Sequence, residues 1–324
     1  MILATFADAR HHAAIGHVDR AGQRILALRA AALALELPDE CLTDMLSLMR
    51  SGPVGMARAR EVLARTPDDS KLWIPLAAVQ LLAPVPVPEQ MRDFSVFERH
   101  MKQAGAAIAR LRAARTGDTA PLPTPDQIRL PEVFYTQPLY YKANRFSVVG
   151  PEAEIRWPRA CSRLDYEVEF GIFIGKAGRD IPPERAMEHV FGFTLLNDFS
   201  ARDLQEQEMA GPFGPAKGKD FDTGNAMGPW IVTPDELPNP YSLAMISRIN
   251  GVERSRGDSA AMVHRFEQMI AHVSRDETLH PGEFMGSGTV GNGSGLERDE
   301  WLADGDLVEI EIPQIGMLRN RVRR

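Results

Sequence analysis

The chain has 324 residues, 44% of them hydrophobic and 25% charged, and a formal net charge of −7. That balance describes a soluble globular protein with material for one large domain or two ordinary ones. The net charge offers no electrostatic footprint for nucleic acid, and the one basic cluster, Arg319-Asn-Arg-Val-Arg-Arg324, reads as a solvated tail. There is no run approaching 18 apolar residues for a membrane span, and in Cys41 and Cys161 no disulfide framework or zinc site. The N-terminus lacks the basic region and apolar core of a secretory signal, so a reducing cytoplasm is the expected compartment.

In chain order, residues 2–6 and 15–18 read as short strands. An Ala/Leu-rich helical stretch covers about 22–50, a second helix 53–65, and a turn 66–70. The proline-rich run Leu81-Leu-Ala-Pro-Val-Pro-Val-Pro88 marks a boundary, which divides the chain into a small N-terminal domain, 1–88, and a main domain, 89–324. In the main domain a helix over about 94–114 precedes a predominantly β pattern: 145–157, 165–175, 191–198, 229–233, 242–250 and 305–322. Asn250-Gly251 is the strongest hairpin signal in the chain. Further helices are expected at 183–189, 201–209 and 259–273. Irregularly spaced strands with few helices point to an α+β fold of mixed β-roll or β-sandwich type rather than an alternating α/β sheet.

Within Leu164-Asp-Tyr-Glu-Val-Glu-Phe-Gly-Ile-Phe-Ile-Gly175, Glu167 and Glu169 stand two apart in a β-branched, aromatic run. On a strand both carboxylates project to one side, roughly 6–7 Å apart along the chain. Like charges there repel unless a cation sits between them, and a hard divalent ion with oxygen ligands is the natural occupant. The alternative is an edge strand with a solvated acidic face. Downstream, the apolar run 191–196 ends in Asn197-Asp198, which sets Asp198 at the end of a buried strand. Arg202 and Gln205 share one face of the following helical segment. A glycine-proline loop, 211–224, carries Lys219. The string Gly286-Ser-Gly-Thr-Val-Gly291 fits a dinucleotide fingerprint, but no helix can follow in Asn292-Gly-Ser-Gly295, so it reads as a glycine-rich loop.

The order Asp-Tyr-Glu-x-Glu, Asn-Asp-aromatic-Ser-Ala-Arg-Asp-Leu-Gln, Gly-Lys-x-Phe, Gly-Pro-Trp and Gly-Ser-Gly-Thr resembles the fumarylacetoacetate hydrolase family over about residues 85–324. The resemblance implies a compact β-rich catalytic domain of the fumarylacetoacetase C-terminal type with the site in its mouth, and a homodimer, for which the apolar stretch 72–84 offers a contact surface. It also implies a divalent ion, Mg²⁺ or Ca²⁺ with Mn²⁺ as a further candidate, on Asp93, Glu167, Glu169 and Asp198. Asp93 precedes His100 with the spacing of the family's fourth ligand and general base; their alternatives are a helix cap and a surface histidine. Tyr141 resembles a substrate-contacting tyrosine. Thr289 would present its hydroxyl and backbone amides to a carboxylate of the substrate. Glu297 resembles the partner of the base, although the loop after Thr289 is shorter than in the eukaryotic hydrolases; the alternative is a surface position on the loop 294–300.

What the resemblance implies for these residues is the cleavage of a carbon–carbon bond in a β-diketone or acylpyruvate through a metal-stabilised enolate. His100 would activate water, and Arg202, Gln205 and Lys219 would face the developing oxyanion. The competing expectation is an oxo-acid decarboxylase or tautomerase that uses the same ion and enolate without an attacking water.

Overall fold

The structure is a computed structural model that describes residues 1–7, 11–211 and 213–324. Its largest sheet runs in the order Trp73–Pro75, Arg24–Ala27, Ala13–Asp19, Ile2–Ala7, Asn225–Val232, Val190–Asp198, Val168–Ile174, Phe284–Gly286, Met91–Phe94 and Tyr140–Lys142, with Gln80–Leu81 and Val148–Val149 paired off this path. A five-stranded sheet, Val252–Asp258, Ala244–Ile249, Leu307–Ile312, Gly316–Arg323 and Glu154–Arg156, packs beside it, and a two-stranded ladder joins Leu164–Asp165 to Ser200–Ala201. The fold is therefore predominantly β with helices at the periphery.

Residues 1–88 do not form a separate sheet. Ile2 and Leu3 pair antiparallel with Val232 and Ile231, and the apolar cluster of Leu3, Leu26, Leu48 and Val62 also contains Met91, Phe173, Leu196, Met227 and Phe284. The expected helix over 22–50 is divided into a strand Arg24–Ala27, helices Leu28–Ala34 and Met45–Arg50, and a 3-10 turn Glu40–Leu42. Pro38 and the Asp44 cap, whose carboxylate accepts from Ser47 N at 2.8 Å, interrupt what Ala and Leu propensity would join.

Three further elements differ from expectation. The helix expected from 94 begins at Glu98 and runs to Thr116, ending on Gly117 at φ 72°, the left-handed stop that favours glycine. Met91–Phe94 is a strand instead, because it pairs in parallel with Phe284–Gly286. The segment 259–273 holds a 3-10 turn, Ser259–Ala261, and a helix Phe266–Val273. The hairpin at 250–251 is present: Asn250 and Gly251 both have positive φ, 54° and 78°, as a type I′ turn requires.

The core sits on both faces of the central strands. Val168, Phe170 and Ile172 face one cluster with Phe193, Leu195 and Met285. Phe173, Leu196, Met91 and Phe284 face the other. Side chains alternate along a strand, so Asp93, Glu169 and Asp198 belong to the second face.

Candidate active site

Three short reaches of chain carry the acidic groups. Asp93 is on Met91–Phe94, Glu169 on Val168–Ile174, and Asp198 ends Val190–Asp198. All three are buried, and each offers an oxygen within 4.8 Å of the others'. Gly286 lies opposite both Asp93 and Gly171 in the ladders; a Cβ there would stand 2.3 Å from Asp93 Oδ1. The missing side chain leaves room for the carboxylate.

One oxygen of each group, Asp93 Oδ1, Glu169 Oε2 and Asp198 Oδ1, is buried without a hydrogen-bond partner. Buried polar atoms are ordinarily paired, so three anionic acceptors left open and converging fit a cation. The donor set is all oxygen, which suits Mg²⁺, Ca²⁺ or Mn²⁺. The electrostatics agree. Burial, then Asp198, push Asp93 up to about 7. Burial, then Asp93, push Glu169 well above the ordinary carboxylate range, and burial raises Asp198 despite the opposing Lys219.

Glu167, expected as a fourth ligand, lies outside that mutual contact. It shares the strand face of Glu169 but is turned to cations: Arg202 Nη2 donates to its Oε1 at 2.7 Å, and Lys219 Nζ sits 2.5 Å from both Glu167 Oε2 and Asp198 Oδ2. Burial alone would raise Glu167, but Arg202 and Lys219 outweigh it and hold the carboxyl below its usual range. The same ion pairs keep buried Lys219 charged against the pull of desolvation. Arg202 also donates through Nη1 to Gln205 Oε1 at 2.8 Å.

Tyr141 donates its hydroxyl to Asp198 Oδ2 at 2.6 Å; burial and Asp198 raise its pKa, so it stays a donor. Thr289 Oγ1 donates to Glu169 Oε1 at 3.0 Å, so its hydroxyl is turned to a protein carboxylate and not outward, as expected, to a substrate. Its own loop leads out of strand Phe284–Gly286 without opening a helix, unlike a dinucleotide site.

His100 is buried in the first turn of helix Glu98–Thr116. Its Nδ1 lies 2.8 Å from Glu297 Oε1, and its Nε2 is 3.9 Å from Glu167 Oε1. Glu297 has a fully buried side chain in the 3-10 turn Leu296–Arg298, and its Oε2 accepts from Ser294 N at 3.2 Å. The shorter loop still reaches the histidine, and neither residue is at the surface. Asp93 in turn does not cap the helix, whose N-cap position is Phe97.

Sequence reasoning left two buried residues of this region without a role. Asp165 accepts four hydrogen bonds beneath Arg202 and the turn that carries Glu297. Asn197 Oδ1 accepts from Glu167 N at 3.0 Å and so helps to hold the acidic strand. Asp165 has a signal in sequence, a charged residue between Leu164 and Tyr166 at a strand start; its partners are too distant along the chain to be read. Pro212, in the glycine-proline loop 211–224 that carries Lys219, lies outside the described residues.

A family model described as Fumarylacetoacetate (FAA) hydrolase C-terminal matches residues 97–323. An uncharacterized protein of Staphylococcus haemolyticus (strain JCSC1435) is 37% identical over 181 residues, 55% of this chain and 58% of that protein. The match thus spans little more than half of that relative's length. Maleylpyruvate hydrolase from Sphingobium sp. SYK-6, solved with manganese(II) and pyruvate, superposes with a TM-score of 0.71 at 25% identity, covering 100% of this chain and 99% of that one. The 5-carboxymethyl-2-hydroxymuconate delta-isomerase from Mycobacterium smegmatis superposes at 0.68 and 24% identity, again over 100% and 99%; that likeness speaks for the fold alone.

Proposed function

The chain belongs to the fumarylacetoacetate hydrolase family, and from that premise we propose that it is a divalent-metal-dependent hydrolase that cleaves a carbon–carbon bond in a β-diketone or acylpyruvate. One observation carries the reading. A histidine paired at 2.8 Å with a buried glutamate turns its other ring nitrogen to Glu167, 3.9 Å away, and Glu167 shares Lys219 with Asp198 of the buried acidic group. That is a general base with its orienting carboxylate next to a cation site, which a reaction that activates water requires.

Asp93, Glu169 and Asp198 would hold the ion, and Glu167, paired with Arg202 and Lys219, would flank it. Bound there, a divalent cation supplies Lewis acidity to the paired oxygens of the substrate. His100 Nε2 takes a proton from water, whose oxygen attacks the ketone carbon. Glu297 receives Nδ1–H and stabilises the imidazolium that results. Arg202 and Lys219 bring fixed positive charge to the oxygen on which negative charge grows, and Gln205 keeps the guanidinium in its plane. Tyr141 and Thr289 hold Asp198 and Glu169 in place by donating to them. Cleavage leaves the water oxygen in a new carboxylate, and the departing carbon is protonated to a ketone.

Oxo-acid decarboxylation or tautomerisation would use the same acidic group but no base for water, and the His100–Glu297 pair favours hydrolysis over it. Turnover of acylpyruvates and 1,3-diketones in ¹⁸O-labelled water separates the two. Label in a newly formed carboxylate is expected; CO₂ release or isomerisation without label would leave the decarboxylase or tautomerase reading standing. We also propose a homodimer acting in the cytoplasm, a compartment suited to the free thiols of Cys41 and Cys161.

A further inference from the structure

Asp165 is fully buried on the two-residue ladder Leu164–Asp165 with Ser200–Ala201. Four N–H groups converge on its carboxylate. Tyr166 N at 2.9 Å and Gly295 N at 2.8 Å donate to Oδ1, and Leu296 N at 3.0 Å and Arg202 Nε at 2.8 Å donate to Oδ2. The donors come from two different wings of the site. Arg202 is joined to Glu167 and Gln205. Gly295 and Leu296 immediately precede Glu297, whose carboxylate holds His100 Nδ1.

All four partners donate and none accepts, so only an ionised carboxylate satisfies them; an amide would turn an N–H toward another donor. The approach is close as well. A Cβ on Gly295 would stand 2.7 Å from Asp165 Oδ1 and 2.1 Å from Glu300 O, so a side chain at 295 would push the turn off its anchor. No oxygen of Asp93, Glu169 or Asp198 is among the contacts of Asp165.

We infer that Asp165 is a positioning residue that locks the Arg202 guanidinium and the Glu297 turn to one buried charge, and through Glu297 sets the orientation and tautomer of His100. The inference rests on the reading of His100 as the base. Asp165 acts on the base through the turn and on the oxyanion side through Arg202.

The test compares Asp165→Asn and Gly295→Ala with His100→Ala and Glu297→Gln in the full chain, using acetylpyruvate as substrate probe and Mn²⁺ as metal probe. Asp165→Asn is expected to lower kcat about 10–100-fold, the usual cost of losing an outer-shell partner, with KM and Mn²⁺ affinity close to wild type. Its acid limb in the kcat–pH profile should move to lower pH, in step with Glu297→Gln, because an imidazole with a misaligned carboxylate gives up its proton more readily. Gly295→Ala should show the same split and carries the test if Asp165→Asn does not fold. Wild-type activity in both variants, an unmoved acid limb, or Mn²⁺ affinity falling in parallel with kcat would overturn the role of Asp165, as would failure of both variants to fold. His100→Ala retaining wild-type hydrolysis would instead overturn the base on which the inference rests.

Discussion

His100 Nδ1 and Glu297 Oε1 meet at 2.8 Å across 197 residues of chain. The helix Glu98–Thr116 brings the histidine and the 3-10 turn Leu296–Arg298 the glutamate, and both side chains are withdrawn from solvent. A carboxylate on one ring nitrogen leaves the other free to accept a proton, here on the side of Glu167. This directs the base toward the acidic group without spending it on a metal bond.

Replacing His100 by Ala should therefore reduce carbon–carbon hydrolysis by about 10²–10⁴-fold, the range that general-base catalysis contributes. Metal binding should be nearly unchanged, because the three converging carboxylates do not include His100. Steady-state turnover of acylpyruvates together with Mn²⁺ calorimetry checks both halves. A variant that turns over the best substrate as fast as wild type rules the base out.

Glu169→Gln should have different effects with and without metal. In the metal-free protein burial and Asp93 already push the Glu169 carboxyl well above its ordinary range, toward the neutral form that Gln imitates, so the melting temperature near neutral pH should hardly change. With metal it removes a hard oxygen ligand, and affinity should fall by more than the 10–100-fold that outer-shell changes cost. Chelation should abolish wild-type activity, and Mg²⁺ or Mn²⁺ should restore it. Melting curves of wild type and variant in chelator and in excess Mn²⁺ give the comparison; a variant still stabilised by Mn²⁺ as strongly as wild type would remove Glu169 from the ligand set.

Much of this site is legible in sequence because its signals are local. Glu167 and Glu169 declare themselves by strand alternation, and Asp198 by the abrupt end of an apolar strand. The strand Met91–Phe94 is hidden: its pairing with Phe284–Gly286 joins segments almost two hundred residues apart, and four residues are too few to show a period. Glu167 reads as equivalent to Glu169, because alternation gives a face and says nothing of Arg202 and Lys219, which engage one of the two carboxylates and spare the other. The Ala/Leu stretch 22–50 misleads for a related reason: propensity is a weak prior, and pairing of Arg24–Ala27 with Ala13–Asp19 overrides it.

Assembly is a separate expectation. The stretch 72–84 holds the edge strand Trp73–Pro75 of the large sheet, and exposed sheet edges recruit partners unless they are covered. Light scattering should give a particle of twice the 35.9 kDa chain. A monomer mass that does not change with concentration would exclude the dimer.

The pH dependence follows from Asp93, which burial and Asp198 raise to about 7, against about 3.9 for an unfolded aspartate. A raised carboxyl means that between these values the folded state holds a proton the unfolded state has lost. Its stabilising contribution is complete below about pH 4 and disappears as pH rises through about 7. Glu169 and Asp198 shift in the same direction, whereas Glu167 shifts in the other and favours the folded state above its unfolded value. Absolute stability therefore mixes both signs. The difference between metal-loaded and metal-free protein isolates the acidic group: a cation must displace the protons held there, so it competes poorly at low pH and stabilises most when the carboxylates are ionised. The gap in melting temperature between excess Mn²⁺ and chelator should widen steadily from about pH 5 to about pH 8, with its steepest rise near the Asp93 value. Asp93→Asn should shrink the gap and flatten its slope. A wild-type gap that stays level over this window, or narrows, would mean that the converging carboxylates of Asp93, Glu169 and Asp198 are not where the ion binds.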